Sequence, residues 1–381
     1  MRKNFLCLVP FGSSMVDLTK DPCSYAYALA KYHGWKSSYA YVGEKIQAPA
    51  FERYCRLVHL GRDTEKYAAR RSAVKFLSEH VAEYDALMFF NYGSTTYKLA
   101  RIAREQNPSI VVYCKMDMSE GGFLHWGGDD SFAGILRNLR ERVMSRNVDL
   151  FSVETKFYYE KLKDKFALRH RLAYLPNGAS LYEIDTEKLA QIPKENIILT
   201  VGRLGTHQKH TELLIEAAAL LPEELLRQWK IYLVGPKEKA LDAYLKKMCA
   251  AHPFLEQCIV CIGATQDRQK LYGFYSRAKI FALPSRWESF GIVTVEAMHC
   301  GCYPVLTDYG PVAYDQTDQG RFGCVVKEHT PQAFAETLQK AMCMEQYPVA
   351  EIKEYADTRF SYQEITGELD QYLQRIRGGK G

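Results

Sequence analysis

The chain has 381 residues and a mass of 43.7 kDa, too long for one ordinary domain, so two compact units of roughly 190 residues each are expected. Its 47% hydrophobic, 13% aromatic and 25% charged residues exclude disorder, collagen and coiled coil. A net charge of +5 gives no sign of a nucleic-acid partner, and no run of about 18 uninterrupted apolar residues could span lipid.

In chain order, the apolar stretch before Pro10 reads as a first strand and not as a secretion signal. Strands are expected at Phe5 to Val9, Ser38 to Val42, Leu57 to Leu60, Ala86 to Phe90, Ile110 to Cys114, Leu150 to Val153 and Leu172 to Leu175. Amphipathic helix patterns such as Ser24 to His33, Tyr67 to His80, Thr95 to Glu105 and Phe132 to Met144 separate them. Apolar strands alternating with helices predict a parallel sheet covered on both faces. The turn signal Pro176-Asn177-Gly178 sets a boundary, giving domains 1–176 and 177–360. The rhythm restarts with Ile197 to Val201, Lys230 to Val234, Ile259 to Ile262, Ile280 to Leu283, Tyr303 to Leu306 and Cys324 to Val326. A final helix, 361–377, is a candidate to cross back to the first domain. The fold class expected is α/β, two doubly wound Rossmann-like domains whose strand carboxyl ends face a central cleft.

Eleven cysteines scattered through apolar runs read as reduced core residues and favour a cytoplasmic setting. The pair Cys258 and Cys261 lacks a second ligand pair, so no metal is expected there. From Arg137 to Arg171, 10 Lys and Arg stand against 5 Asp and Glu. That excess is either a solvated helix face or a patch that meets anionic lipid, at the inner face of a membrane, or a lipid-linked phosphate.

Two segments carry chemistry. In Pro284 to Gly301 a buried strand leads into a helix expected to open near Phe290 and to end at Gly301. The amides of Ser289, Phe290, Gly291 and Ile292 would then be free at the positive end of the helix dipole, a ready anion site. Glu288 and Glu296 bracket the turn, and carboxylates accept paired hydrogen bonds from vicinal hydroxyls of a sugar or ribose; the alternative is a capped surface helix with solvated glutamates. In Ile197 to Ala217, a strand ends at Gly202, a loop follows, and a helix begins near Thr211. Arg203 and Lys209 lie in that loop, at the carboxyl end of a central strand, where both can pair with a diphosphate.

Together these segments resemble the retaining glycosyltransferases of family 4, which have the GT-B fold. The likeness rests on the loop VGRL, on LVG at Leu233 to Gly235, on LYGFYSRAKIFALPS, on ESFGIVTVEAMHCG with its Glu-x7-Glu, and on GCVV at Gly323 to Val326. It implies hexosyl transfer from a nucleotide diphosphate sugar to an acceptor hydroxyl with retained configuration, without metal or other cofactor, in cell-surface polysaccharide or glycoconjugate synthesis. Arg203 and Lys209 match the pair that neutralises the leaving diphosphate. Glu288, with Gly202 and the amides of Ser289 to Ile292, matches the donor contacts, and Glu296 matches the ribose carboxylate. The acceptor would be a glycan, a lipid-linked sugar or a protein.

The first half resembles the family less. In the opening loop Pro10 to Met15, Gly12 and Ser13 lie where the family has a glycine pair near the donor phosphates. Lys115-Met116-Asp117 stands where the family often has a histidine, and Asp117 either touches the donor sugar, receives the acceptor proton, or simply shapes the loop. The glycine-rich loop Ser119 to Asp130 offers His125 and Trp126 to an acceptor, Trp126 serving either as a sugar platform or as a buried anchor; Asn91, ending a strand, is a further acceptor contact. His210 stands where a glycine commonly follows the lysine. Alternatives of other classes are a sugar-nucleotide epimerase or phosphorylase on the same fold, and a non-catalytic module that binds nucleotide sugars or glycans.

Overall fold

The computed structural model describes residues 3–118 and 120–379. All thirteen expected strands form: β1 Asn4–Gly12, β2 Lys36–Val42, β3 Cys55–His59, β4 Ala86–Phe90, β5 Val111–Lys115, β6 Leu150–Val153, β7 Leu172–Tyr174, β8 Glu195–Val201, β9 Lys230–Val234, β10 Ile259–Gly263, β11 Ala278–Leu283, β12 Tyr303–Thr307 and β13 Cys324–Val326. They make two parallel sheets, ordered β3-β2-β1-β4-β5-β6-β7 and β10-β9-β8-β11-β12-β13. The chain thus adopts the α/β class with two doubly wound Rossmann-like units that the GT-B resemblance implies. In each sheet the strand order reverses between the first and fourth strands of the unit, β1 with β4 and β8 with β11, which is where such sheets bind ligands.

The strands alternate between two apolar faces because both are covered. In β1, Phe5, Cys7 and Val9 pack in one core, while Leu6 and Leu8 pack in the other. In the second sheet Ile198, Ile231, Ile280 and Val305 meet Leu214, Ala218, Phe334 and Leu338 from the helices Thr211–Leu220 and Pro331–Met342.

Contacts divide the chain into one unit running to Tyr182 and resuming at Ser361, and a second from Glu183 to Phe360. Residues 177–182 therefore go with the first unit, since Asn177 and Tyr182 pack inside it. The helix Tyr362–Gly378 returns to the first unit, where Ile365, Leu369 and Leu373 enter the core beside Tyr25 and Leu29 of the helix Asp21–His33. Polar ties fix it: Tyr362 donates its hydroxyl to Asp21, and Trp35 Nε1 donates to Asp370 Oδ1 at 2.7 Å.

Candidate functional site

In the second unit, the loops after β8 and β11 bring most of the expected groups together. The chain leaves β8 through Gly202, whose backbone lies against Gly235 so closely that a Cβ on Gly235 would stand 1.9 Å from the Gly202 carbonyl oxygen. This contact folds the β8 loop over the sheet edge, and Lys209 returns along it, with its Cε 3.3 Å from where a Cβ of Gly202 would be. Lys209 Nζ donates to Glu288 Oε1 at 2.5 Å, and Ser285 Oγ donates to the same oxygen at 2.6 Å. The two charged side chains are only 14% and 7% exposed, so the pair is held largely out of water.

Arg203 is exposed and takes a different partner, donating to Gln208 Oε1 at 2.7 Å. Gln208 in turn donates to the Trp287 carbonyl at 3.1 Å and accepts the Arg286 amide at 2.8 Å, so Arg203 is tethered to the turn that carries Glu288. Gln208 and Ser285 escaped the sequence reading, because nothing in their spacing distinguishes them from ordinary loop polar residues. His210 has φ 45°, a left-handed backbone that explains why a glycine suits this place. Burial and the neighbouring Arg286 push the His210 imidazole down to about 4, so it stays neutral and accepts the guanidinium hydrogen bond at 2.8 Å.

The helix after β11 begins at Ile292, two residues later than expected, because Gly291 at φ 75° is its N-cap. It ends at His299, ahead of a left-handed Gly301. Gln316 holds the carbonyls of Phe290 and Gly291 at 2.7 and 3.4 Å, and is itself fixed by Tyr309 at 2.7 Å. A trans peptide points its N–H opposite its C=O, so the Gly291 and Ile292 amides are turned away from Gln316. Among the described residues, the N–H groups of Ser289, Phe290, Gly291 and Ile292 find no acceptor. Gly291 lies close to Glu288, whose Cγ would be 3.6 Å from a Cβ at that position. One cation, one carboxylate and a row of unpaired amides thus converge at the switch point of the second sheet.

Glu296 does not join them. It is buried inside the helix, where Tyr275 donates to Oε2 at 3.0 Å and Arg268 stands 3.8 Å from Oε1. Burial pushes its carboxyl above the usual range, against the pull of Arg268 and Tyr275.

In the first unit the structure brings Asn91, Asp117 and His125 near one another but commits Ser13 and Trp126 to the fold. Ser13 is a correction: its amide donates to the Val42 carbonyl at 2.9 Å and its hydroxyl is paired with the Tyr39 hydroxyl at 2.8 Å, so neither is free for a phosphate. Gly12 ends β1 and is exposed. Trp126 is also corrected. It is fully buried, edge-on to Tyr92 and Phe151, and is therefore an anchor whose ring faces are not presented to a sugar. Its segment is not an open loop, since Glu120–His125 is helical; Ser119 lies outside the described residues. His125 is half-buried, stacked on Tyr92 and 3.0 Å from Glu141 Oε1. Asn91, at φ 64°, accepts the Asp117 amide through Oδ1 at 3.1 Å.

Beneath Asp117 lies a polar cluster that no sequence motif announces. Lys115, 1% exposed, donates to Asn177 Oδ1 at 2.6 Å and faces Asp21 Oδ2 at 4.0 Å. Glu154 accepts the Met118 amide at 2.7 Å through Oε1, while its Oε2 has no hydrogen-bond partner among the described residues. Burial pushes the Glu154 carboxyl up to about 8 despite the pull of Lys115. Asp117 is exposed at the edge of this cluster, its carboxyl also raised by partial desolvation against Lys115.

Residues 182–359 match the family described as glycosyl transferases group 1. The GDP-mannose:cellobiosyl-diphosphopolyprenol alpha-mannosyltransferase of Xanthomonas campestris is 28% identical over 230 residues, 58% of this chain and 56% of that one. The D-inositol 3-phosphate glycosyltransferase of Corynebacterium jeikeium is 29% identical over 258 residues, 63% of this chain and 60% of that one. The chain thus spans little more than half the length of these curated relatives. Among solved structures, the Anabaena HepE protein in complex with UDP has a TM-score of 0.68 at 16% identity, covering 98% of this chain and all of that one, a likeness of fold.

Proposed function

We propose that this chain, whose residues 182–359 match the glycosyl transferases group 1 family, is a retaining glycosyltransferase that moves a hexosyl group from a nucleotide diphosphate sugar to an acceptor hydroxyl. The observation that carries this is the Lys209–Glu288 pair seated beside the unpaired amides of Ser289 to Ile292. A diphosphate is the ligand such a place suits. The helix N-terminus supplies N–H donors, Lys209 supplies a cation already fixed in position, and Arg203 stands one glutamine away with a planar fork.

During transfer the bond from the sugar's anomeric carbon to the phosphate oxygen breaks, and the electron pair leaves with the diphosphate. The acceptor oxygen bonds the same face of that carbon and its proton passes to the departing phosphate, so configuration is retained. Charge grows on the diphosphate as this happens, and the preplaced cation and amides stabilise it there. Glu288, already an acceptor for two donors, would grip hydroxyls of the donor sugar. The leaving charge would fall to Lys209, Arg203 and the amides, without a metal. The acceptor belongs to glycoconjugate or polysaccharide synthesis; the Xanthomonas relative is named for a diphosphopolyprenol acceptor and the Corynebacterium one for a phosphorylated inositol.

A panel of nucleotide diphosphate sugars tested by thermal shift identifies the donor, since a ligand of the native state alone raises its apparent stability. If no member of the panel shifts the melting temperature, the donor assignment fails. A second reading, binding without transfer, is favoured by Ser13, whose committed amide and hydroxyl leave the first unit short of a donor contact. Product formation in a screen of donors and acceptors decides between the two, and a sugar nucleotide epimerised without acceptor would favour an isomerase instead.

A further inference from the structure

The helix Phe132–Met144 is amphipathic in the reverse of the usual sense. Its inward residues are polar or small. Asn138 donates to the Trp126 carbonyl at 2.8 Å and accepts the Ala167 amide at 2.9 Å. Glu141 accepts the Tyr97 hydroxyl at 2.6 Å, and Gly134 is buried against the backbone of Gly127. Its outward residues are apolar: Phe132, Ile135, Leu136, Leu139 and Val143 are between 46% and 77% exposed. At 3.6 residues per turn these five fall within an arc of about 100°. A surface helix ordinarily buries that arc in its own core, whereas here the core takes the polar side.

Charge frames the apolar arc. Arg140 and Arg142 flank it on opposite sides of the helix, Arg146 follows it, and all three are exposed. The Arg142 guanidinium lies 5.6 Å from the ring of Phe166, another exposed aromatic, which extends the surface beyond the helix. Over residues 132–146 there are four Arg and a single acid, Glu141, which is turned inward. No helix of the described residues is long and apolar enough to cross a membrane.

We infer that this face of the first unit docks on the surface of an anionic phospholipid bilayer, the apolar side chains entering the boundary between headgroups and acyl chains while the arginines meet lipid phosphates. Beside the band Arg137 is paired with Asp129 and Lys165 with Asp130, which leaves Arg140, Arg142 and Arg146 as its basic flanks; exposed aliphatic and aromatic residues framed by arginines are the composition of a helix that lies in the plane of a membrane interface. Charge complementarity selects the anionic lipid; a second copy of this chain would bring arginines against arginines. This docking does not depend on the transfer chemistry.

Cosedimentation with vesicles tests it without donor or acceptor, so its outcome is separate from that of any turnover assay. The intact protein is expected to sediment with phosphatidylcholine vesicles containing phosphatidylglycerol at least about tenfold more tightly than with pure phosphatidylcholine, and to be released by salt. The Ile135→Ser, Leu139→Ser double variant keeps every charge and removes two leucine-sized contacts, each worth about tenfold or more in partition. Arg140→Glu with Arg142→Glu keeps the apolar arc and reverses its flanks. Both variants should weaken sedimentation at least about tenfold with an unchanged melting curve, because the altered side chains are exposed. Wild-type sedimentation by either variant overturns the assignment, as does an intact protein that stays in the supernatant at low salt. So does a solution dimer that the Ile135→Ser, Leu139→Ser variant converts to monomer, since the face would then belong to a second copy.

Discussion

The two units are wound in the same order, yet they spend their charged residues differently. At the switch point of the second, between β8 and β11, Lys209 and Glu288 meet at the edge of the sheet beside unpaired amides. In the first, the ionisable groups near the ends of β5 and β6 sink inward, so that Lys115, Asp21 and Glu154 are all buried and mostly bonded to structural partners. One arrangement leaves valences open to a ligand. The other, Glu154 Oε2 apart, closes them on the fold, tying Asp21 to Tyr362 of the returning helix. A common scaffold therefore says little about where chemistry resides; the unspent hydrogen-bonding capacity does.

Substitutions can break this contrast. The largest effect is expected from Lys115→Ala, which strands the buried Asp21 carboxylate and should destabilise the first unit by about 3 to 5 kcal/mol. It would be read as lost hydrogen-exchange protection in β1, β4 and β5, with donor binding retained. Next comes Glu154. Its folded carboxyl titrates at about 8 against an ordinary 4.5, so the native state holds a proton that the unfolded chain has lost. Stability of the first unit should fall as pH rises through that window, by at most about 1.4 kcal/mol per pH unit, and level off above it. Glu154→Gln should flatten the slope in denaturation curves taken at several pH values; an unaltered slope would mean the carboxyl is ionised throughout.

In the second unit the losses should be of function. Lys209→Ala is expected to lower transfer by about 10²-fold with the fold intact, as for other lost electrostatic stabilisers, and Arg203→Ala to follow it; near-wild-type turnover in both would dissolve the contrast. The smallest effect is assigned to Gly291→Ala. A Cβ there meets nothing closer than Tyr309 Oη at 3.4 Å, but φ 75° is left-handed. The cost should be about 1 kcal/mol in thermal denaturation.

The sheets were legible because strands covered on both faces are short apolar runs, and each of the thirteen carries one. Lys209 and Glu288 could also be read, since each stands at the end of a strand within a local pattern. What escaped was long-range. Asp21 and Tyr362 are 341 positions apart, and nothing local in either predicts the other. Trp126 illustrates a different limit: an indole in a glycine-rich segment suits a sugar platform and a core anchor equally, and only the packing against Tyr92 and Phe151 decides. The inverted helix Phe132–Met144 shows the right period for an ordinary surface helix, so its pattern gives the element but not which side faces water.

The return of Tyr362–Gly378 to the first unit has a consequence for biosynthesis. Residues 183–360 form an uninterrupted stretch, so on the ribosome that unit has all its chain before the older one does. The older unit must wait, with Tyr25 and Leu29 lacking their eventual cover, until Ile365, Leu369 and Leu373 emerge. Nascent chains arrested before that point should therefore display a finished younger unit and an unfinished older one, a natural client for a chaperone.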